Sequence, residues 1–200
     1  MSNATTVAAL YVIPDGVYST MPGVDLWPES RDARVYAGPH PVVAHPPCAA
    51  WSRMASLREW KYGYKRGIDG GCFSAALSSV RNFGGVLEHP AESAAWAKFG
   101  LLKPRFGSWQ RSESGDWVTE VWQVDYGHRA RKRTWLLCSG TVPPPLRWEK
   151  RKHSAVVSGS TNHNSRPTCG GQRVWAKEAK RTPPEFAELL LSIARSASHG

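Results

Sequence analysis

The stretch Pro41-Val42-Val43-Ala44-His45-Pro46-Pro47-Cys48-Ala49-Ala50-Trp51-Ser52 is a short apolar run that stops at a double proline and then delivers a thiol. A run of this kind, bounded by turn residues, reads as a buried β-strand. The prolines fix φ and withhold N–H donors, so the strand cannot continue through them. Cys48 is therefore expected on a stiff turn at the carboxyl end of a strand, the edge at which open α/β folds carry their chemistry. A nucleophilic thiol needs such positioning. A buried, inert cysteine behind a strand is the bland alternative.

Gly84-Gly85-Val86-Leu87-Glu88-His89-Pro90 is a second short apolar run, ending in a carboxylate and a proline turn. Val7 to Ile13 reads as the first strand, closed by Pro14-Asp15-Gly16, and further strands are expected at about 121–125 and 133–138. Phe73, Ala76, Leu77 and Val80 recur at helical spacing, as do Phe186, Leu189, Leu190 and Ile193 in a last helix from Pro184 to Ser196. Residues 17–40 are rich in turn formers and show little periodicity. Strands alternating with helices predict an α/β fold with a mostly parallel sheet flanked by helices. At 200 residues the chain suits one domain spanning 1–200, with a basic irregular segment at about 141–172 and the C-terminal helix at about 184–196. The segment from Trp51 to Gly71 is basic and aromatic; it reads as a loop able to close over a ligand or as an ordinary surface excursion.

The formal net charge is +10. A balance that basic argues for a polyanionic partner, since Lys and Arg contacts to phosphate release counterions and dominate nucleic-acid affinity. Ten tryptophans run from Trp27 to Trp175, most expected in the core and some available to stack on bases. The four cysteines, at 48, 72, 138 and 169, form no C-x-x-C pair, so neither a zinc site nor a disulfide framework is expected. No stretch approaches the ~18 apolar residues of a membrane span, which gives the expectation of a soluble, cytoplasmic protein with DNA rather than membrane as its partner.

The third informative stretch is Trp122-Gln123-Val124-Asp125-Tyr126-Gly127, leading into His128-Arg129-Ala130-Arg131-Lys132-Arg133. Each piece has an ordinary reading: Glu88 as a cap for a helix after Pro90, Tyr-Gly as a turn, the arginines as a solvated or phosphate-binding face. Their order is what those readings handle badly. Pro-Pro-Cys, then Glu-X-Pro, then Tyr-Gly with Arg-X-Arg resembles the core of the DNA (cytosine-5)-methyltransferase family. Cys48 to Glu88 spans 40 positions and Glu88 to Arg131 spans 43. Arg181-Thr182-Pro183-Pro184-Glu185-Phe186 is similar to a late family segment that opens a helix. The resemblance covers about residues 41–140.

The resemblance implies a Rossmann-like methyltransferase sheet and a specific chemistry. Carbon 5 of a pyrimidine becomes nucleophilic only when a thiolate adds at carbon 6, and the adduct later collapses by β-elimination. Cys48 is implied as the nucleophile and Glu88 as the group holding ring N3 and the exocyclic amine. Arg131 and Arg133 would grip the base carbonyl or a flanking phosphate. The base must be flipped from the duplex, with His45, Pro47, Ser52, His89, Pro90, Tyr126 and Gly127 around it. The implied cofactor is S-adenosylmethionine or an analogue, for which Asp25, Gly16 and Pro46 are the candidate contacts. The chain departs from the family at several places: the glycine-rich turn is reduced to Pro14-Asp15-Gly16, the late Asn-rich motif is missing, only 47 residues precede Cys48, the Glu-Asn pair is Glu88-His89, and 141–172 is all the room for a target-recognition region. A relative using the same cysteine chemistry with a different donor or outcome, and a non-catalytic DNA-binding protein, therefore stand beside the methyltransferase-like enzyme.

Overall fold

The computed structural model describes residues 5–52, 55, 65–153, 155–157, 172–174, 178 and 181–197. Strands β1 (Val7–Leu10), β2 (Val24–Trp27), β3 (Val42–Ala44), β4 (Gly85–Pro90), β5 (Gln110–Arg111), β6 (Trp117–Trp122) and β7 (Arg133–Ser139) form one sheet in the order β2-β1-β3-β4-β7-β6-β5. β8 (Ala155–Val157) and β9 (Gln172–Val174) pair separately and in parallel. The helices are α1 (Cys72–Phe83), α2 (Ala94–Lys98) and α3 (Pro184–Arg195).

Alternation along the strands sorts the apolar side chains onto two faces. Ala8, Leu10, Val42, Ala44, Leu87 and Leu137 join α1 through Phe73, Ala76, Leu77 and Val80. Val7, Ala9, Val43, Val86, Leu136 and Cys138 join α3 through Phe186, Leu190, Leu191 and Ile193. The sheet is thus a middle layer with a helix on each face, and each large apolar side chain buried in this way contributes roughly 1.5–3 kcal/mol. Local signals set the helix starts. Asp69 accepts from the backbone N–H groups of Gly71 (3.0 Å) and Phe73 (2.8 Å) at the head of α1. The Ser93 side chain accepts from Ala95 N at α2, and Pro184 opens α3, where a missing N–H costs nothing.

The sheet is mixed rather than mostly parallel. β2, β1, β3 and β4 run parallel, whereas the β4–β7, β7–β6 and β6–β5 pairs are antiparallel. The antiparallel half arises because β6 and β7 are joined by only the segment between Trp122 and Arg133, too short to carry a crossover helix. Three element boundaries also differ from expectation. β1 stops at Leu10, because Tyr11 takes a left-handed φ of 61°. The strand expected at 121–125 lies earlier, at Trp117–Trp122, and residues 123–126 form a 3-10 turn. β2 lies within the segment that shows no periodicity; it is an edge strand with every residue half-buried. The expected excursion from Trp51 to Gly71 falls largely outside the described residues, as does Cys169.

The chain passes from β1 to β2 on one side and then to β3 on the other side of β1. The two crossovers use 3-10 turns at Val17–Thr20, Glu29–Arg31 and Ala33–Val35 in place of full helices, which is how three strands fit ahead of Cys48. The connections therefore leave the carboxyl ends of β1 and β3 in opposite directions. In open parallel sheets that is where ligands bind.

Gly85 has φ 121° where β4 meets β3, and a Cβ there would stand 2.0 Å from the Val42 carbonyl oxygen. Gly85→Ala is expected to destabilise the fold by at least about 2 kcal/mol, measured as a lowered urea midpoint with unchanged slope.

Candidate active site

β1, β3 and β4 end at one edge of the sheet. Because β7 runs antiparallel to β4, its first residues begin at the same edge, with Pro90 opposite Thr134. Four pieces of chain therefore converge: the turn after β1, the Pro-Pro-Cys turn after β3, Glu88-His89-Pro90 closing β4, and residues 131–133 opening β7. The cysteine turn is well anchored. The Cys48 carbonyl accepts from the N–H groups of Trp51 (3.1 Å) and Ser52 (3.0 Å). Trp51 is buried, donates from Nε1 to Asp69 (2.8 Å), and its carbonyl accepts from Ala94 N. One aspartate thus ties the turn to the head of α1. Pro46 is buried, Pro47 exposed, Cys48 half-buried, and the Ser52 hydroxyl lies against the Ala49 carbonyl. Cys48, Cys72 and Cys138 are outside any disulfide.

Glu88 is the electrostatic centre of this edge. Its side chain is on the α3 face, buried, with Oε2 3.0 Å from His45 Nδ1 and Oε1 accepting from Gln123 Nε2 at 3.1 Å. Gln123 also donates to Thr134 Oγ1 (2.9 Å), and its own Oε1 is buried without a partner among the described residues. His45 Nε2 lies 2.8 Å from the hydroxyl of the buried Tyr18. Burial acts to raise the Glu88 carboxyl. The Lys132 ammonium, the His45 hydrogen bond and the positive character of His45 and His89 outweigh it and hold the group at about 2.

His89 points the other way, as its neighbour on a strand must. It is fully buried on the α1 face, edge-on to Phe73 and stacked near Trp96, so it lies in the core on the opposite face of the sheet from Glu88. Burial pushes its pKa down to about 4, against the opposing pull of Glu88 and the Pro47 carbonyl. Pro90 is the half-buried last residue of β4. Tyr126 is likewise a core residue: it is buried, its ring packs on Phe186, and its hydroxyl accepts from Arg147 N at 2.8 Å. Gly127 ends the 3-10 turn at φ 92°.

The two arginines have different surroundings. Arg133 donates to both oxygens of buried Glu120 (2.7 and 2.8 Å) and to Glu92 (3.0 Å), fastening β7 to β6 and to the turn after β4. Arg131 is exposed and lies 4.8 Å from the centre of the Trp122 ring. Lys150 approaches the same indole at 6.0 Å and Phe106 at 5.1 Å. Among the described residues, neither Arg131 nor Lys150 has a carboxylate partner.

The edge therefore brings together Cys48's turn, His45, Glu88 and the start of β7. Tyr18, Gln123, Thr134 and Lys132 also belong to it. Only the juxtaposition of Gln123 with the Tyr-Gly turn hinted at one of them. His45, expected to face substrate, has both ring nitrogens occupied. Of the residues suggested for S-adenosylmethionine, Pro46 is buried and the other two are engaged within the chain. Asp25 sits in the middle of β2, opposite Ala8, with one oxygen on Arg31 and the other accepting from Trp27 Nε1 (2.7 Å). Gly16 closes its own turn onto the Ile13 carbonyl (3.0 Å), and a Cβ there would stand 2.9 Å from that oxygen. Among the described residues no cluster of His, Cys, Asp and Glu could hold a metal ion, and no helix is long and apolar enough to cross a membrane. In comparisons with known proteins, no family model and no curated protein matches the chain.

Two steps of acid sensitivity follow. His89 stays neutral when the unfolded chain binds a proton, so stability is complete above pH 6.5 and falls toward pH 4. Glu88 stays charged when the unfolded chain does not, so its contribution is present above pH 4.5 and falls toward pH 2. Urea unfolding across this range is expected to show both losses, with Glu88→Gln removing the lower one.

Proposed function

We propose that the protein is a DNA-modifying enzyme that acts at carbon 5 of cytosine, or of a related pyrimidine, through a covalent Cys48 adduct on a flipped base. The observation that carries this reading is the placement of the Pro-Pro-Cys turn beside a buried, ionised Glu88 at the β1/β3 divergence of the sheet. A reduced Rossmann-like methyltransferase sheet accounts for the parallel block β2-β1-β3-β4, and an antiparallel extension is common on such sheets.

Cys48 supplies the nucleophile. Glu88 retains lone pairs beyond the two that His45 and Gln123 use, and these accept from the exocyclic amine. The orphaned Gln123 Oε1 is a second acceptor next to it. Both favour an amino-bearing ring, since an acceptor facing a carbonyl would stay unpaired at a cost of ~1–3 kcal/mol. Arg131 and Lys150, two cations converging on Trp122 without carboxylates, suit the phosphate and a flanking base. Arg133, saturated by Glu120 and Glu92, positions that strand. With Asp25 and Gly16 committed elsewhere, no step is assigned to a bound S-adenosylmethionine. The proposal covers what the chain itself performs: addition at carbon 6, activation of carbon 5 and elimination. A different donor or outcome is the second reading, favoured by the engaged Asp25.

A duplex containing 5-azacytosine reports the addition step without any donor, because its ring nitrogen at position 5 takes a proton where carbon would take an alkyl group. Wild type is expected to form a denaturation-resistant adduct at Cys48. Cys48→Ser is expected to lose it while binding DNA with nearly unchanged affinity. An adduct absent from wild type, or formed equally by Cys48→Ser, contradicts the proposal.

Arg131→Ala and Lys150→Ala are each expected to weaken DNA binding and to lower the slope of log affinity against log salt by about 0.9. Fluorescence anisotropy between low and physiological salt checks this.

A further inference from the structure

Residues 102–106 run along the outer side of β6. The Arg105 carbonyl accepts from Glu120 N at 3.0 Å and Phe106 bridges to Glu120, which brings the Phe106 ring against Trp122 with centres 4.8 Å apart. Arg105 N donates to Gln110 Oε1 (2.8 Å). Beside this segment lies a cleft of about 570 Å³ lined by Leu102, Lys103, Pro104, Arg105 and Gln110. Lys103, Arg105, Arg131 and Lys150 are all exposed, and among the described residues none of the four has a carboxylate partner. The carboxylates next to Trp122 and Lys150 in the chain are already engaged: Glu120 by Arg133, Asp125 by the backbone N–H of Arg151, and Glu149 by the Arg151 side chain.

We propose that the strip running outward from Arg131 through Trp122 and Phe106 to Arg105 and Lys103 holds single-stranded DNA, with unpaired bases stacked on the two rings and phosphates on the four cations. This rests on the reading of the Trp122 face as the DNA contact given above, and not on the chemistry of Cys48.

Rings and cations together discriminate between the two forms of DNA. In a duplex each base face is covered by its neighbours, so phosphates reach a protein surface while base faces do not, and a row of cations alone serves it. Half-buried aromatic rings set among cations gain a partner only from unstacked bases. The Arg131 guanidinium, 4.8 Å from the centre of the indole, extends the same stack. The position of the strip agrees. Trp122 pairs with Arg133 at the start of β7, and β7 begins at the edge where β4 ends. From β4 across β7 and β6 to Phe106 is three strand spacings, about 15 Å, which a few nucleotides of extended chain span. A base delivered unpaired to that edge is spared the unpairing cost of base flipping.

The test compares, by fluorescence anisotropy at one salt concentration, a short oligothymidylate with a blunt hairpin duplex carrying the same number of phosphates. The single strand is expected to bind at least about tenfold more tightly, the worth of one stacked base. Phe106→Ala is expected to weaken oligothymidylate binding on the order of tenfold while leaving the duplex within about twofold. Lys103→Ala and Arg105→Ala are each expected to lower the slope of log affinity against log salt for the single strand by about 0.7. Trp122→Ala is expected to match Phe106→Ala; because Trp122 Nε1 donates to Glu120 (3.1 Å), Phe106→Ala decides if that variant does not fold. A duplex bound as tightly as the single strand overturns the proposal, as does a folded Phe106→Ala variant with wild-type affinity for oligothymidylate. Oligouridylate bound more tightly than oligothymidylate overturns DNA as the occupant. Adduct formation at Cys48 without any preference for the single strand removes this inference and leaves the enzyme reading standing. The preference without any adduct does the reverse.

Discussion

A carboxylate that remains charged inside a protein has to be surrounded, and at the edge of this sheet Glu88 is surrounded by four separate parts of the chain. His45 comes from the end of β3, Gln123 from the turn after β6, Lys132 from the approach to β7, and Tyr18 stands behind His45. Removing one partner from such a charge costs several kcal/mol, ~3–5 in typical buried pairs. The arrangement therefore couples local chemistry to global fold. The same contacts that keep Glu88 ionised also hold the cysteine turn's strand, the antiparallel half of the sheet and the turn after β1 in register.

The topology makes this meeting possible. A parallel block alone would bring only carboxyl ends to the edge, and every partner of Glu88 would have to come from a loop. Running β7 antiparallel to β4 brings an amino end there instead, with its basic residues. Arg133 is used to fasten that strand through Glu120 and Glu92, while Arg131 and Lys150 stay available on the indole of Trp122. Arginines used for structure and for the Trp122 face thus stand two positions apart, at 133 and 131. The chain leaves β1 and β3 in opposite directions, and short 3-10 crossovers achieve this with few residues.

Strands β3 and β4, and the helices at 72–83 and 184–195, were legible because they are buried on both sides or carry a clean apolar stripe. β2 was not, since an edge strand needs only half-burial and Asp25 interrupts its pattern. The start of β6 was hidden by Glu120, whose polar character reads as solvent-facing until Arg133, eleven residues beyond Trp122, is known to neutralise it. Tyr126 and His89 illustrate a different limit. Their positions in the chain place them beside candidate site residues, but the direction of a side chain depends on strand parity and on partners such as Arg147 and Phe73 that local sequence does not name. Tyr18 and Gln123 were missed for the same reason: each acquires its role only through a contact across tens of residues.

The central claim is that Cys48 and Glu88 act on one pyrimidine ring at this edge. The most direct measurement is release of tritium from DNA labelled at carbon 5 of cytosine, with no alkyl donor present. Addition at carbon 6 makes carbon 5 basic, so a solvent proton is taken up there and elimination expels the label. The account predicts release by wild type above the buffer rate and none by Cys48→Ser or Glu88→Gln. No release by folded wild type bound to the labelled DNA would contradict it.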